Sequence, residues 1–259
     1  MTAYLSSALS LVLTILLSGA AAGQYTQSFG IDEKIGQTVP PDLVFFDEAG
    51  EKVSLRQFTD KPAIISLVYY SCGSRCPLLL GNLAQALSSL NLNPAAYRII
   101  TVSFDDRDTP ALASEMKRNY IKAIGKPFPG SSWRFLTGDS ENIKRFTDAL
   151  GFSFRKEPGG FSHPRALIFL FPGGVVGRYL YGMSFLPFDV QMSLHESSGK
   201  RSFFSADRLA LFCYSYDPEE NRYVFHLARS LAVFFFLLGV TSIALYWVAR
   251  RKEGIDEDC

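Results

Sequence analysis

The sequence predicts an α/β sandwich on a mixed sheet, and three observations predict it. Two uninterrupted apolar runs, Ala63–Tyr70 and Tyr97–Phe104, suit central strands covered on both faces. An amphipathic helical pattern follows each of them. A third apolar run, Ala166–Phe171, is joined through Pro172-Gly173-Gly174 to Val175–Leu180, which is a hairpin signal. Strand–helix alternation closed by a hairpin requires parallel and antiparallel neighbours in one sheet. The 259 residues, 47% of them hydrophobic, suffice for one core with accessory segments to spare.

In chain order, Asp42–Leu55 holds two short apolar runs about a Gly-containing turn and reads as an N-terminal hairpin. Pro62 opens the first central strand. Pro77 stands where a first helical turn tolerates it, and Leu78, Leu79, Leu83, Ala86, Leu87 and Leu90 then recur at helical spacing. After the second strand, Asp108-Thr109-Pro110 is a helix start, and the helix runs to about Ile124. Trp133–Leu136 and the helix Ser140–Leu150, stopped by Gly151, repeat the alternation. From Met183 to Glu220 the pattern weakens, with a helix around Phe188–His195 and a turn at Asp217–Asn221.

Both ends carry segments apart from this fold. Leu5–Ala22 is apolar and ends in small residues, the form of a secretory signal or an uncleaved anchor. Its lack of Arg-rich character argues against a mitochondrial presequence and for bacterial export. Leu231–Ala249 is 19 residues without a charge, close to the ~20 that span a hydrocarbon core. Arg250, Arg251 and Lys252 follow it and mark the cytoplasmic side, so everything before Leu231 faces outward. The expected organisation is a signal or anchor over 1–23, an extended linker over 24–40, the folded domain over 41–182, an extension over 183–226, a transmembrane helix over 227–250 and a cytoplasmic tail over 251–259. A net charge of +1 with no run of Lys or Arg excludes the electrostatic footprint of a nucleic-acid binder.

The chemistry gathers in Tyr69-Tyr70-Ser71-Cys72-Gly73-Ser74-Arg75-Cys76-Pro77, at the carboxyl end of a central strand, where sites in open α/β sheets collect. Residues four apart on a helix share a face with Cβ atoms ~5–6 Å apart, which suits two thiolates on one metal. A disulfide needs some local adjustment from that spacing but is also within reach. Helix-start amides and Arg75 favour thiolate over thiol. A structural disulfide of an exported protein is the plainer alternative. Of three histidines, His163 is best placed as a third ligand, provided the strand after it neighbours the one ending at Tyr70. Two thiolates and an imidazole form a soft set that suits copper better than calcium, magnesium or manganese.

Other residues carry weaker signals. Asp105, Asp106 and Asp108 read as helix-capping chemistry with Arg107 as an ion-pair partner. Cys213 reads as a buried apolar thiol, and Cys259 lies on the opposite side of the membrane from the site. His195 and His226 have no ligand-like companion. Met183 and Met192 offer soft thioethers but more commonly fill apolar contacts.

With these residues in hand, the stretch from about Val39 to Leu180 resembles the Sco family, copper-binding thioredoxin-like proteins of cytochrome oxidase assembly. Tyr70-Ser-Cys72-Gly-Ser-Arg-Cys76-Pro77 is similar to its C-x-x-x-C-P element. Val102-Ser-Phe-Asp-Asp-Arg-Asp108-Thr109-Pro110 is similar to its S-x-D-x-x-R-D-T-P element, and Leu136-Thr137-Gly138-Asp139 to the stretch before its third helix. His163 falls where the family's histidine ligand precedes a strand. The resemblance implies a thioredoxin-like sandwich and copper ligation by Cys72, Cys76 and His163. Its implied partners are a copper donor protein and the copper-centre subunit of cytochrome c oxidase. It also carries a second role, thiol-disulfide exchange by Cys72 and Cys76. Arg75 stands where the family often has an acidic residue, and Pro164 stands where thioredoxin-like redox enzymes place a cis-proline, a feature that favours redox chemistry.

Overall fold

The protein is described by a computed structural model covering residues 30–72, 75–198, 214–217 and 222–225, with single helical positions at 231, 235, 238 and 241. The expected signal or anchor over 1–23, Gly73, Ser74, Cys213, His226, Cys259 and most of Leu231–Ala249 lie outside the described residues. Among the described residues no helix is long and apolar enough to cross a membrane.

Strand β3 (Ala63–Val68) is buried at every residue because it sits mid-sheet with both faces covered. It pairs in parallel with β4 (Arg98–Ser103), which pairs in parallel with β5 (Trp133–Leu136). On its other side it pairs antiparallel with β8 (Ala166–Phe171), which forms the expected hairpin with β9 (Val175–Tyr181). The order β5-β4-β3-β8-β9 is the mixed sheet of a thioredoxin-like α/β fold.

The period-2 alternation of each strand divides the core. Ile64, Ile99, Phe135, Leu167 and Phe169 point to one face, where they meet helices α1 (Arg75–Ser89), α2 (Pro110–Ala123) and α4 (Pro187–Ser197). Ile65, Ile100, Leu136, Ile168 and Leu170 point to the other, under α3 (Ser140–Ala149) and the hairpin of β1 (Val44–Phe46) and β2 (Lys52–Ser54). Each fully buried large side chain contributes about 1.5–3 kcal/mol. Trp133 is held further by its indole N–H, which donates to Thr101 Oγ1 at 2.9 Å.

Residues 30–40 are not a free linker. The Asp32 amide donates to the Gly151 carbonyl at 2.8 Å, the Val39 amide to Gly174 at 2.9 Å, and Ile31 and Val39 are buried. A side-chain pattern does not announce this docking, because backbone groups make the ladder bonds. Gly151 is required there: its φ is +61°, and a Cβ would lie 1.7 Å from the Asp32 carbonyl oxygen.

The β1–β2 hairpin is tied to β5 by charge. Arg134 Nε donates to both Glu48 carboxylate oxygens at 3.1 Å, its Nη2 donates to Asp47 Oδ2 at 2.7 Å, and the Phe135 amide donates to Glu48 Oε1 at 2.7 Å. Burial alone would raise the Glu48 pKa, but the hydrogen bonds from Arg134 and Phe135 and the Arg134 charge outweigh it and hold the carboxyl below its ordinary value. A carboxyl more acidic in the folded chain binds fewer protons there than in the unfolded chain. Its stabilisation is therefore full above the ordinary value of 4.5 and is lost as pH falls through the lowered folded value. Chemical denaturation across pH 3–6 is expected to show stability falling on the acid side, with a shallower slope in Glu48→Gln; equal slopes would contradict it.

The structure adds two small hairpins. Strand β6 (Arg155–Glu157) is charged and exposed, and β7 (Gly160–Ser162) is half-buried with Phe161 as its one apolar residue, so no apolar alternation marked them. Strands β10 (Tyr214–Asp217) and β11 (Arg222–Phe225) flank the expected turn in the C-terminal extension.

Candidate metal centre

The chain leaves β3 through a tight turn, in which the Cys72 amide donates to the Tyr69 carbonyl at 3.3 Å. Tyr70 anchors that turn from within. Its hydroxyl is fully buried between the carbonyls of Leu136 (2.8 Å) and Thr101 (3.0 Å) and donates to one at a time. Burial, followed by the charges of Asp108 and Glu48, pushes the Tyr70 phenol well above its usual pKa, so it stays a neutral donor. The Tyr70 amide donates to Asp108 Oδ2 at 2.6 Å, and the same oxygen accepts from Ser103 Oγ at 2.6 Å.

This corrects the capping assignment of Asp108. Thr109 is the N-cap of α2, accepting from the Leu112 amide, and Pro110 is its first residue. Asp108 instead ties the end of β4 to the cysteine turn. Asp105 pairs with Arg107 as expected, at 2.7 Å. Local sequence shows Asp-Thr-Pro as a helix start either way; only the parallel β3–β4 register brings the Asp108 carboxylate to the Tyr70 amide.

His163 reaches the same end of the sheet because β8 does neighbour β3. Their antiparallel register pairs Ser66 with Leu167, so the residues before β8 run back past the carboxyl end of β3. The imidazole packs against Phe104 (ring centroids 5.0 Å apart), Tyr69 (6.0 Å) and Phe152 (6.2 Å). Its Nδ1 lies 2.8 Å from the Pro164 carbonyl oxygen. A carbonyl only accepts, so Nδ1 carries the hydrogen and the lone pair of the neutral ring is on Nε2. That is the usual state of a metal-ligating histidine, with a backbone carbonyl fixing its tautomer.

Cys72 and His163 line one cleft of about 380 Å³, walled by Tyr69, Arg165 and the β6–β7 hairpin. Cys72 is 8% exposed and also borders a second cleft of about 230 Å³, between Pro77, Leu80, Met116 and Tyr120. A cleft of about 490 Å³ beside Phe104, Phe161 and Lys144 contains neither cysteine nor histidine. Cys76 lies in the first turn of α1. Among the described residues no three His, Cys, Asp or Glu side chains gather as a metal-holding group. The donor types that do meet, a largely buried thiol and an imidazole presenting Nε2, fit a soft ion such as copper.

Other expectations change. The described residues contain no cis peptide bond, so the His163–Pro164 bond is trans and the redox argument from Pro164 loses its support. The Met183 thioether accepts from Arg165 Nη1 at 3.5 Å, and Met192, on α4 itself, is buried as an apolar filler. His195 is half-buried near the end of α4, far in sequence from the cysteine turn.

The SCO1/SenC family model matches residues 32–183. A comparison with curated proteins found no match. Among solved structures, an Aquifex aeolicus VF5 protein assigned to electron transfer is 25% identical with a TM-score of 0.59, over 67% of this chain and 99% of that one. Arabidopsis thaliana ScoI with copper bound is 19% identical with a TM-score of 0.51, over 61% and 97%. BsSco, a Sco-family cytochrome c oxidase assembly protein in which a disulfide switch is identified, is 22% identical with a TM-score of 0.53, over 66% and 99%. Fold and sequence agree, and with more than half its length matched, this chain belongs to the SCO1/SenC family.

Proposed function

We propose that the protein is a membrane-anchored copper metallochaperone. Cys72, Cys76 and His163 hold copper as cargo, and the protein helps to metallate the dinuclear copper centre of cytochrome c oxidase. The observation that carries this reading is the meeting of Cys72 with His163 in one cleft, the imidazole fixed with its lone pair on Nε2. Copper bound to the Arabidopsis relative and the oxidase-assembly role of BsSco support it. A three-coordinate soft site suits hand-over, because an incoming thiolate can add before a resident ligand leaves.

Membrane attachment belongs to the same reading. Leu231, Phe235 and Leu238 are exposed apolar side chains at helical positions within the uncharged run Leu231–Ala249, whose 19 residues approach the ~20 needed to span a hydrocarbon core. With Arg250–Lys252 inside, the folded domain faces the periplasmic side of a bacterial membrane.

The second reading is a thiol-disulfide oxidoreductase, favoured by the opening of clefts on two sides of Cys72 and by the disulfide switch of BsSco. The Cys72 thiolate attacks a partner disulfide, forming a mixed disulfide and expelling one partner thiolate. Cys76 then attacks Cys72, releasing the reduced partner and leaving a Cys72–Cys76 disulfide that an external dithiol must reduce.

The full chain, reduced and titrated anaerobically with copper, is expected to take up one copper per chain and to transfer it to the apo copper-centre subunit. Loss of partner disulfides with no bound copper would overturn the chaperone reading in favour of the oxidoreductase.

A further inference from the structure

Arg165 precedes β8 directly, and its carbonyl accepts from the Gly182 amide at 2.9 Å, which fixes its backbone at the mouth of the cleft that holds Cys72 and His163. The side chain is half-buried, and Nη1 donates to the Met183 sulfur at 3.5 Å. A thioether orients a guanidinium without neutralising it. No carboxylate pairs with Arg165 among the described residues, and the acidic residue lining the cleft, Glu157, faces Arg155 at 3.6 Å. A partly buried cation beside neutral acceptors is completed by an anion, and charge-assisted contacts are stronger than neutral ones.

We infer that Arg165 is the counter-charge of the loaded site and shifts its relative affinity towards copper(I) against copper(II). The inference rests on the copper reading above. Two thiolates, a neutral imidazole and copper(I) carry one net negative charge, whereas the same ligands with copper(II) are neutral. A fixed guanidinium at the cleft stabilises the charged state and leaves the neutral one nearly unchanged. Met183 then serves as the acceptor that aims the guanidinium rather than as a copper ligand. Arg165 is a positioning and selectivity residue; it contributes no ligand atom.

The test compares the full-length wild type, Arg165→Gln and Arg165→Lys, each checked for folding by circular dichroism. Copper(I) and copper(II) affinities are measured by chelator competition, and the potential of the bound couple by spectroelectrochemistry. Arg165→Gln is expected to lower the ratio of copper(I) to copper(II) affinity about tenfold, equivalent to about 59 mV for one electron. Arg165→Lys, which keeps the charge, should retain most of the ratio. An unmoved ratio in Arg165→Gln, or equal loss for both oxidation states, overturns the inference and leaves a structural residue. A change confined to the docking of an acidic partner overturns it as well. A wild type that takes up neither copper state removes both the copper reading and this inference.

Discussion

His163→Ala is expected to weaken copper binding by at least roughly a hundredfold, the upper end of what changes beyond the ligand shell do to metal sites, and Cys72→Ser by more. The imidazole is held ready by the Pro164 carbonyl at Nδ1 and by ring contacts with Phe104 and Tyr69, so little ordering is left for the binding step. Truncation to Ala also removes part of that aromatic packing, and a drop in affinity alone would mix two causes. His163→Phe separates them, since it keeps an aromatic ring beside Phe104 while deleting the lone pair. It should fold with near wild-type stability and still fail to hold copper tightly. Isothermal titration under anaerobic conditions measures both variants. Full copper affinity in His163→Phe would show that the metal does not use this nitrogen.

Asp108→Ala is expected to cost about 2–4 kcal/mol of stability and to speed copper loss. One carboxylate oxygen accepts from both the Tyr70 amide and the Ser103 hydroxyl at 2.6 Å, and its removal leaves two buried or half-buried donors without their acceptor, each at about 1–3 kcal/mol. The Tyr70 amide lies two residues from Cys72, so slack there passes directly into the cysteine turn. Asp108→Asn can place its amide oxygen where Oδ2 now lies, accept from both donors and restore most of the loss. Urea denaturation gives the stability change, and stopped-flow transfer to a chelator gives the release rate. Wild-type stability and release in Asp108→Ala would remove Asp108 from the support of the site.

The difference between these two residues shows what can be read along a chain. Cys72 was legible because a continuous apolar strand ends just before it and a helical pattern with Pro77 begins just after it, both local signals. The helix starts at Thr109–Pro110 and Asp139–Ser140, the β1–β2 hairpin and the β8–β9 hairpin were legible for the same reason. Asp108 was not, because its two partners are a backbone amide 38 residues away and a hydroxyl five away, and neither leaves a period in the sequence. The β6–β7 hairpin and the docked arm at residues 30–40 escaped likewise, because their few buried or packed apolar residues, Phe161, Ile31 and Val39, are scattered among polar neighbours and backbone bonds make the pairing.

By itself, then, the sequence determined the alternating strands and helices, the strand-to-helix setting of Cys72 and Cys76, and the family, because hydrophobic period and short motifs are local properties. Only the tertiary structure decided that β8 runs antiparallel beside β3 and so brings His163 to Cys72, that the His163–Pro164 bond is trans, and that Arg165 stands at their cleft. Strand order and register are chosen by the packing of the whole core, and residues far apart in the chain meet only once that choice is made.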